Sequence, residues 1–163
     1  SLTDTLTGLP NRRYAEMILE QIFSTYNRYS SNCVVMFIDV DKFKSVNDIK
    51  GHNAGDRLLK WIAEFLQKNV RKSDIVFRLG GDEFVVICPE ISLDNGISTA
   101  NKLITQLNET SNMFFAEYWK PSLSIGLCSI SEQNSSIEAV LRKADEAMYQ
   151  SKQNGGNLAT AST

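Results

Sequence analysis

The sequence predicts an α+β domain: a central, mainly antiparallel β-sheet flanked by helices. A mid-chain hairpin signal, a continuous apolar run of strand-forming residues before it, and stretches of helical periodicity on either side carry this expectation. The 163 residues suit one domain, and 42% hydrophobic residues are enough to bury a core.

In chain order, Thr3–Arg13 is turn-rich, with Gly8 and Pro10 breaking any regular element. From Arg12 the pattern becomes helical, placing Ala15, Ile18, Leu19, Ile22, Phe23 and Tyr26 on one face. Cys33 to Ile38 is apolar at every position, as in a central strand covered on both sides. Residues 42–56 are punctuated by Gly51 and Gly55 and suit a short helix and a loop. Leu58, Leu59, Ile62, Phe65, Leu66 and Val70 then make a second amphipathic helix. Asp74–Leu79 and Glu83–Cys88 read as strands joined through Gly80-Gly81, glycines that accept the positive φ of a primed turn.

A further helix spans about Asn95–Asn108, with Ile97, Ala100, Ile104 and Leu107 inward. Met113–Trp119 fits either a short strand or a loop with buried aromatics. Ser122–Ile130 reads as a strand whose Gly126 leaves room for something packed closely against it. Ser135-Ser-Ile-Glu138 resembles a capping box, opening a helix with Ile137, Val140, Leu141, Ala144, Met148 and Ser151 inward. Residues 1–157 are thus expected to form the domain, and the small, polar residues 158–163 a disordered tail.

A net charge of −2 gives no general attraction for nucleic acid. With no apolar run of membrane-spanning length and no signal peptide, the fragment is expected to be soluble and cytoplasmic, without membrane contact of its own; a membrane-anchored parent stays open. Cys33, Cys88 and Cys128 are widely spaced within strand-like runs and read as small buried hydrophobes.

Two places suggest chemistry. Asp82 and Glu83 are adjacent carboxylates at the mouth of an apolar hairpin, and a divalent cation is a partner that would use both. A solvated hairpin tip is the commoner meaning of a lone Gly-Asp-Glu, so the pair alone leaves both open. Asp39 stands where the central strand leaves the core, a usual place for a metal ligand, but taken alone it reads sooner as an ordinary strand-end Asp capping the next turn.

From Asp4 to about Asn157 the chain resembles the GGDEF family of diguanylate cyclases. The resemblance rests on ordered blocks: Asp4-Thr-Leu-Thr-Gly-Leu-Pro-Asn-Arg12, Asp39-Val-Asp-Lys-Phe-Lys44, Asn47-Asp48, Gly51-His52 and Gly55-Asp56. It continues through Arg71-x-x-Asp74, Arg78-x-Gly-Gly-Asp-Glu-Phe84, Ser124-Ile-Gly126, Ala144-Asp145, Met148-Tyr149 and Lys152. A lone Gly-Gly-Asp-Glu-Phe would be weak evidence; this many blocks in order are specific.

The resemblance implies a palm-like fold related to nucleotide cyclases and polymerases. It also implies condensation of two GTP into cyclic di-GMP with release of two pyrophosphates. One domain holds one GTP, so two domains must meet as a transient two-fold homodimer. The implied cofactor is Mg2+, with Mn2+ as a substitute, held by Asp39, the Val40 carbonyl, Asp82 and Glu83. Asp82 or Glu83 is implied to draw the proton from the attacking hydroxyl. Lys44, Lys152 and the backbone amides of Lys42 and Phe43 are implied to contact the triphosphate. Asn47 and Asp56 would choose the base, because a carboxylate accepts from guanine N1–H and N2–H₂ but faces an acceptor on adenine. Arg71 and Asp74 match the family's site for inhibition by the product. His52, the sole histidine, reads as shaping the loop that carries the base-binding residues.

The chain departs from the pattern at Gly155-Gly156-Asn157, where the family usually carries a basic residue in the middle position. This raises the alternative of a catalytically weak domain that binds GTP or cyclic di-GMP and signals without efficient turnover. Against it, every implied metal and base residue is present. A third possibility, an interaction module that pairs with a phosphodiesterase domain, finds no positive support in the chain.

Overall fold

The computed structural model describes residues 1–29, 32–110, 120–131 and 136–163. Among these residues five helices and five strands follow in the order α1 (Arg12–Tyr29), β1 (Cys33–Val40), α2 (Phe43–Lys50), α3 (His52–Asn69), β2 (Ile75–Gly80), β3 (Glu83–Pro89), α4 (Leu93–Thr110), β4 (Leu123–Ser129), α5 (Ile137–Gln153) and β5 (Leu158–Ala161). The strands form one sheet in the order β2-β3-β1-β4-β5, antiparallel except for the last pair. The α+β expectation holds. The Met113–Trp119 stretch and the Tyr26 side chain lie outside what is described.

Every residue of β1 is buried, and β1 is the middle strand. Alternation along the strands divides the core in two. Val34, Met36, Ile38 and Val40 pack with Phe84, Val86, Ile125 and Leu127 under α2, α3 and α4. Val35 and Phe37 pack with Val85, Ile87 and Cys128 under α1 and α5. Gly126 makes the second layer possible: a Cβ there would run into the Ala144 carbonyl and the Met148 amide of α5. The helix backbone rests directly on the strand, as the glycine suggested.

Four local expectations are corrected. Residues 51–56 are not a loop; after a break at Gly51 (φ +88) they form the opening turns of α3, with His52 its first residue. The hairpin loop is Gly81-Asp82 rather than Gly80-Gly81, since Gly80 still pairs with Glu83 after a register shift beyond Arg78. Gly81, at φ +51, supplies the positive φ of the first loop residue, which glycine accepts without steric cost. The α5 cap is Ser136, whose Oγ accepts from the Ala139 amide at 3.1 Å; Ser135 lies outside the described residues.

The fourth correction concerns the tail. Leu158–Ala161 pairs in parallel with Ser124–Leu127 as β5. The Thr160 hydroxyl meets Ser151 Oγ at 2.7 Å, and the Ser162 amide donates to the Leu127 carbonyl at 2.7 Å. A short polar segment shows no local sign of order; here an open sheet edge supplies the partners.

Candidate active site

The site is assembled where β1, the β2–β3 loop and the end of α5 meet. In the sheet register Asp39 lies opposite Glu83 on one side and Ser124 on the other. Strand alternation puts Asp39 and Glu83 on the face that carries α1 and α5. The hairpin loop then closes over the end of β1, with the Val40 amide donating to the Asp82 carbonyl at 3.3 Å. Of the residues implied for the metal, Asp39, Val40, Asp82 and Glu83 are therefore neighbours.

Asp39 is buried, and its carboxyl is pushed up to about 8. Burial is the largest cause, the adjacent Asp82 carboxylate comes next, and Lys152 pulls in the opposite direction. Lys152 Nζ approaches Asp39 Oδ1 to 3.1 Å, close enough to pair charges, yet that oxygen takes no hydrogen bond of good geometry. Glu83 is raised too, first by burial and then by Asp145 of α5 and by Asp82, with Arg12 and Lys152 opposing. Crowded, partly desolvated carboxylates with an unsatisfied oxygen form a donor set that a hard cation would relieve. Among the described residues no three acidic, histidine or cysteine side chains already converge as a complete protein cage. Magnesium needs none, since it retains waters and takes phosphate oxygens.

Beyond β1 the chain turns through Lys42, which holds a left-handed conformation (φ 57), into α2. No side chain caps that helix, so the amides of its first turn are not satisfied by one. Lys42 and Lys44 are exposed and Phe43 is half-buried. Asn47 sits further along α2 with Oδ1 buried and lacking a protein partner. Gly55 explains how α3 comes so close: a Cβ there would strike Asn47 Oδ1 and crowd the Phe43 ring. Asp56, the next residue, is exposed on α3.

Arg71 and Asp74 are at the other end of the hairpin, before β2. The six strand residues between them and the loop span on the order of 20 Å. The Asp74 side chain is 1% exposed and receives Arg71 Nη2 at 2.8 Å and the Arg71 amide at 2.9 Å, while Arg71 Nη2 also donates to the Pro89 carbonyl. The Arg71 side chain remains about half exposed, at 47%.

Sequence reasoning assigned no role to several residues around the site. Arg78 links Asp4 at 2.9 Å to the Gly81 carbonyl at 2.8 Å, tying the N-terminal turn to the hairpin tip. Asp41 accepts hydrogen bonds from Ser122, Ser124 and the Asn157 amide. Arg12 and Asp145 flank Glu83. The Asp-x-Asp spacing was the available signal for Asp41, because alternation sends both carboxylates to one face; the others depend on contacts remote in sequence.

The sequence matches the family described as diguanylate cyclase, GGDEF domain, over residues 1–158. It is 39% identical over 155 residues to the diguanylate cyclase DgcP of Pseudomonas aeruginosa, covering 95% of this chain and 23% of that protein. To the diguanylate cyclase DosC of Escherichia coli it is 38% identical over 155 residues, covering 94% and 34%. The chain thus spans about a quarter to a third of the length of these curated relatives. The fold superposes on the GGDEF domain of DgcB from Caulobacter crescentus, solved in complex with c-di-GMP, with a TM-score of 0.91 and 25% identity, covering 99% of this chain and 95% of that one.

Proposed function

This chain belongs to the GGDEF family, and from that membership we propose that it is a diguanylate cyclase domain condensing two GTP into cyclic di-GMP and two pyrophosphates. The observation that carries the reading is the placing of Asp39, Asp82 and Glu83 as neighbours at one end of the central strands, with Lys152 paired to Asp39 and an uncapped helix start beyond.

Asp39, Asp82, Glu83 and the Val40 carbonyl would hold Mg2+, or Mn2+ in its place. When bound, the metal lowers the pKa of the attacking 3′-hydroxyl and neutralises charge gathering on the phosphates. Either Asp82 or Glu83 takes the hydroxyl proton. Lys44 and Lys152, with the Lys42 and Phe43 amides, bind the triphosphate; the exposed start of α2 suits an anion. Lys152 changes partner on binding, from Asp39 alone to a site shared with phosphate. The buried, unpartnered Asn47 Oδ1 and the Asp56 carboxylate both accept from guanine donors. In-line attack needs two such sites face to face, so the catalytic species is a two-fold dimer.

The product is expected to feed back through Arg71, whose half-exposed side chain is open to phosphate or guanine and remote from the reacting centre. A weaker, nucleotide-binding role is favoured by one observation, Gly156 in place of a basic residue. Incubating concentrated protein with GTP and magnesium distinguishes the two. A cyclase makes cyclic di-GMP at a rate per protein that rises with protein concentration, and Glu83→Ala abolishes it. Magnesium-dependent GTP binding without product, persisting after fusion of a parallel coiled coil to the N-terminus, would establish the binding module instead.

A further inference from the structure

We propose that Asp41 is a positioning residue for the nucleotide: it clamps the turn after α5 and so holds Lys152 in reach of the triphosphate. This rests on the reading of Lys152 as a phosphate ligand given above. Asp41 stands one residue beyond β1, on the same face as Asp39, and its amide donates to the Ser122 carbonyl at 2.9 Å. Its carboxylate is fully engaged. Oδ1 accepts from Ser124 Oγ at 2.6 Å, and Oδ2 accepts from Ser122 Oγ at 2.7 Å and from the Asn157 amide at 2.8 Å. Three parts of the chain, the end of β1, the start of β4 and the α5–β5 turn, meet on one side chain.

The turn it holds is built to transmit position. The Gly156 amide donates to the Ser151 carbonyl at 3.0 Å and the Gly155 amide to the Lys152 carbonyl at 3.2 Å. That pair, with Gly155 at φ +107, is a Schellman motif, which locks the last helical turn to the residues that follow. Ser151 Oγ donates to the Ile125 carbonyl at 3.0 Å, fixing the same turn to β4. The Lys152 backbone is therefore held on both sides, and its Nζ lies 3.1 Å from Asp39. Releasing Asn157 from Asp41 frees the Schellman motif from its anchor on β1, and the lysine loses one side of the frame that aims it.

The same contact gives the glycine at 156 a structural meaning. A Cβ at that position would come within 2.9–3.1 Å of the Asp41 carboxylate, at a backbone φ of +73 that disfavours any side chain. A side chain installed there requires the Asp41 carboxylate to give by a few tenths of an ångström.

The test is a double-mutant cycle on binding of a non-hydrolysable GTP analogue with magnesium, using Asp41→Asn and Lys152→Ala in the intact chain. The amide keeps the shape of Asp41 but replaces one acceptor oxygen with a donor. Asp41→Asn alone is expected to weaken binding about tenfold, the size of coupling common within a shared network. In the Lys152→Ala background it should cost nothing further. Hydrogen exchange should show lost protection of the Asn157 amide with the core amides of β1 unchanged. An equal loss in both backgrounds, or unaltered affinity in Asp41→Asn, overturns the proposal. Unaltered affinity in Lys152→Ala overturns the phosphate assignment itself and with it the proposal, a pattern distinct from the other two. If Asp41→Asn does not fold, Ser122→Ala removes a single donor to Oδ2 and enters the same cycle, with the same criteria.

Discussion

Asp56 is the side chain on which base selection is expected to turn. Replacing it by serine removes the carboxylate that guanine donors use while lifting the acceptor clash with adenine. Asp56→Ser should cut the GTP/ATP preference by tenfold or more, in line with about 1–3 kcal/mol for an unpaired buried polar group. Initial rates with each nucleotide, or competition binding, would check it, and unchanged selectivity refutes the assignment. Asp4 permits a pH prediction of known sign. Burial alone would raise its carboxyl, but hydrogen bonds from the Thr7 hydroxyl and amide and from Arg78 outweigh burial and hold it below the ordinary aspartate range. A depressed folded value means that its contribution is complete above the unfolded value and is lost as pH falls through the folded one. Asp4→Asn should therefore cost about 1–3 kcal/mol near neutrality, the range for hydrogen bonds to charged groups. Thermal unfolding at stepped pH should show that difference shrinking below about pH 4, and a pH-independent difference would refute it.

Among the elements, the β4–α5 contact is the most exacting. Gly126 was readable in the sequence as a close approach, but not what approached it. The structure supplies the α5 backbone between Ala144 and Met148. Gly126→Ala must push the helix off the sheet and should destabilise by about 1–3 kcal/mol, as overpacking does. It should also reduce activity, since α5 carries Lys152; chemical denaturation together with turnover would check both. The hairpin shows the same division. Two strands and a glycine turn were legible from composition. The shift of the loop by one residue was not, because it depends on the irregular register beyond Arg78 and on the pairing of Gly80 with Glu83. That shift places Asp82 in the loop, next to the end of β1, and leaves Glu83 as the first residue of β3.

For the whole molecule, the proposed reacting edge and the Arg71 site stand at opposite ends of one hairpin, so the proposed feedback would have to act through the rigid sheet or by fixing two domains in an unproductive arrangement. Arg71→Ala is expected to leave initial rates at low product near the parent value while raising the half-inhibiting cyclic di-GMP concentration about tenfold or more, the worth of a charge-assisted pair. Unchanged inhibition would remove Arg71 from the regulatory site. The sequence by itself determined the layered α+β architecture, the central place of β1, the faces of the helices and the family, because periodicity and ordered motifs are written locally. It also named Asp39, Asp82 and Glu83, which the sheet makes neighbours, and Lys152, which pairs with Asp39. Only the tertiary structure decided that residues 158–161 form a strand, that His52 opens a helix, and that Asp41, Arg78 and Asp145 border the site. The physical reason is common to most of these. Their roles are contacts between segments far apart in the chain, such as Asp41 with Asn157, Arg78 with Asp4 and β5 with the free edge of β4. No local pattern encodes such a contact until the sheet has brought the two ends together.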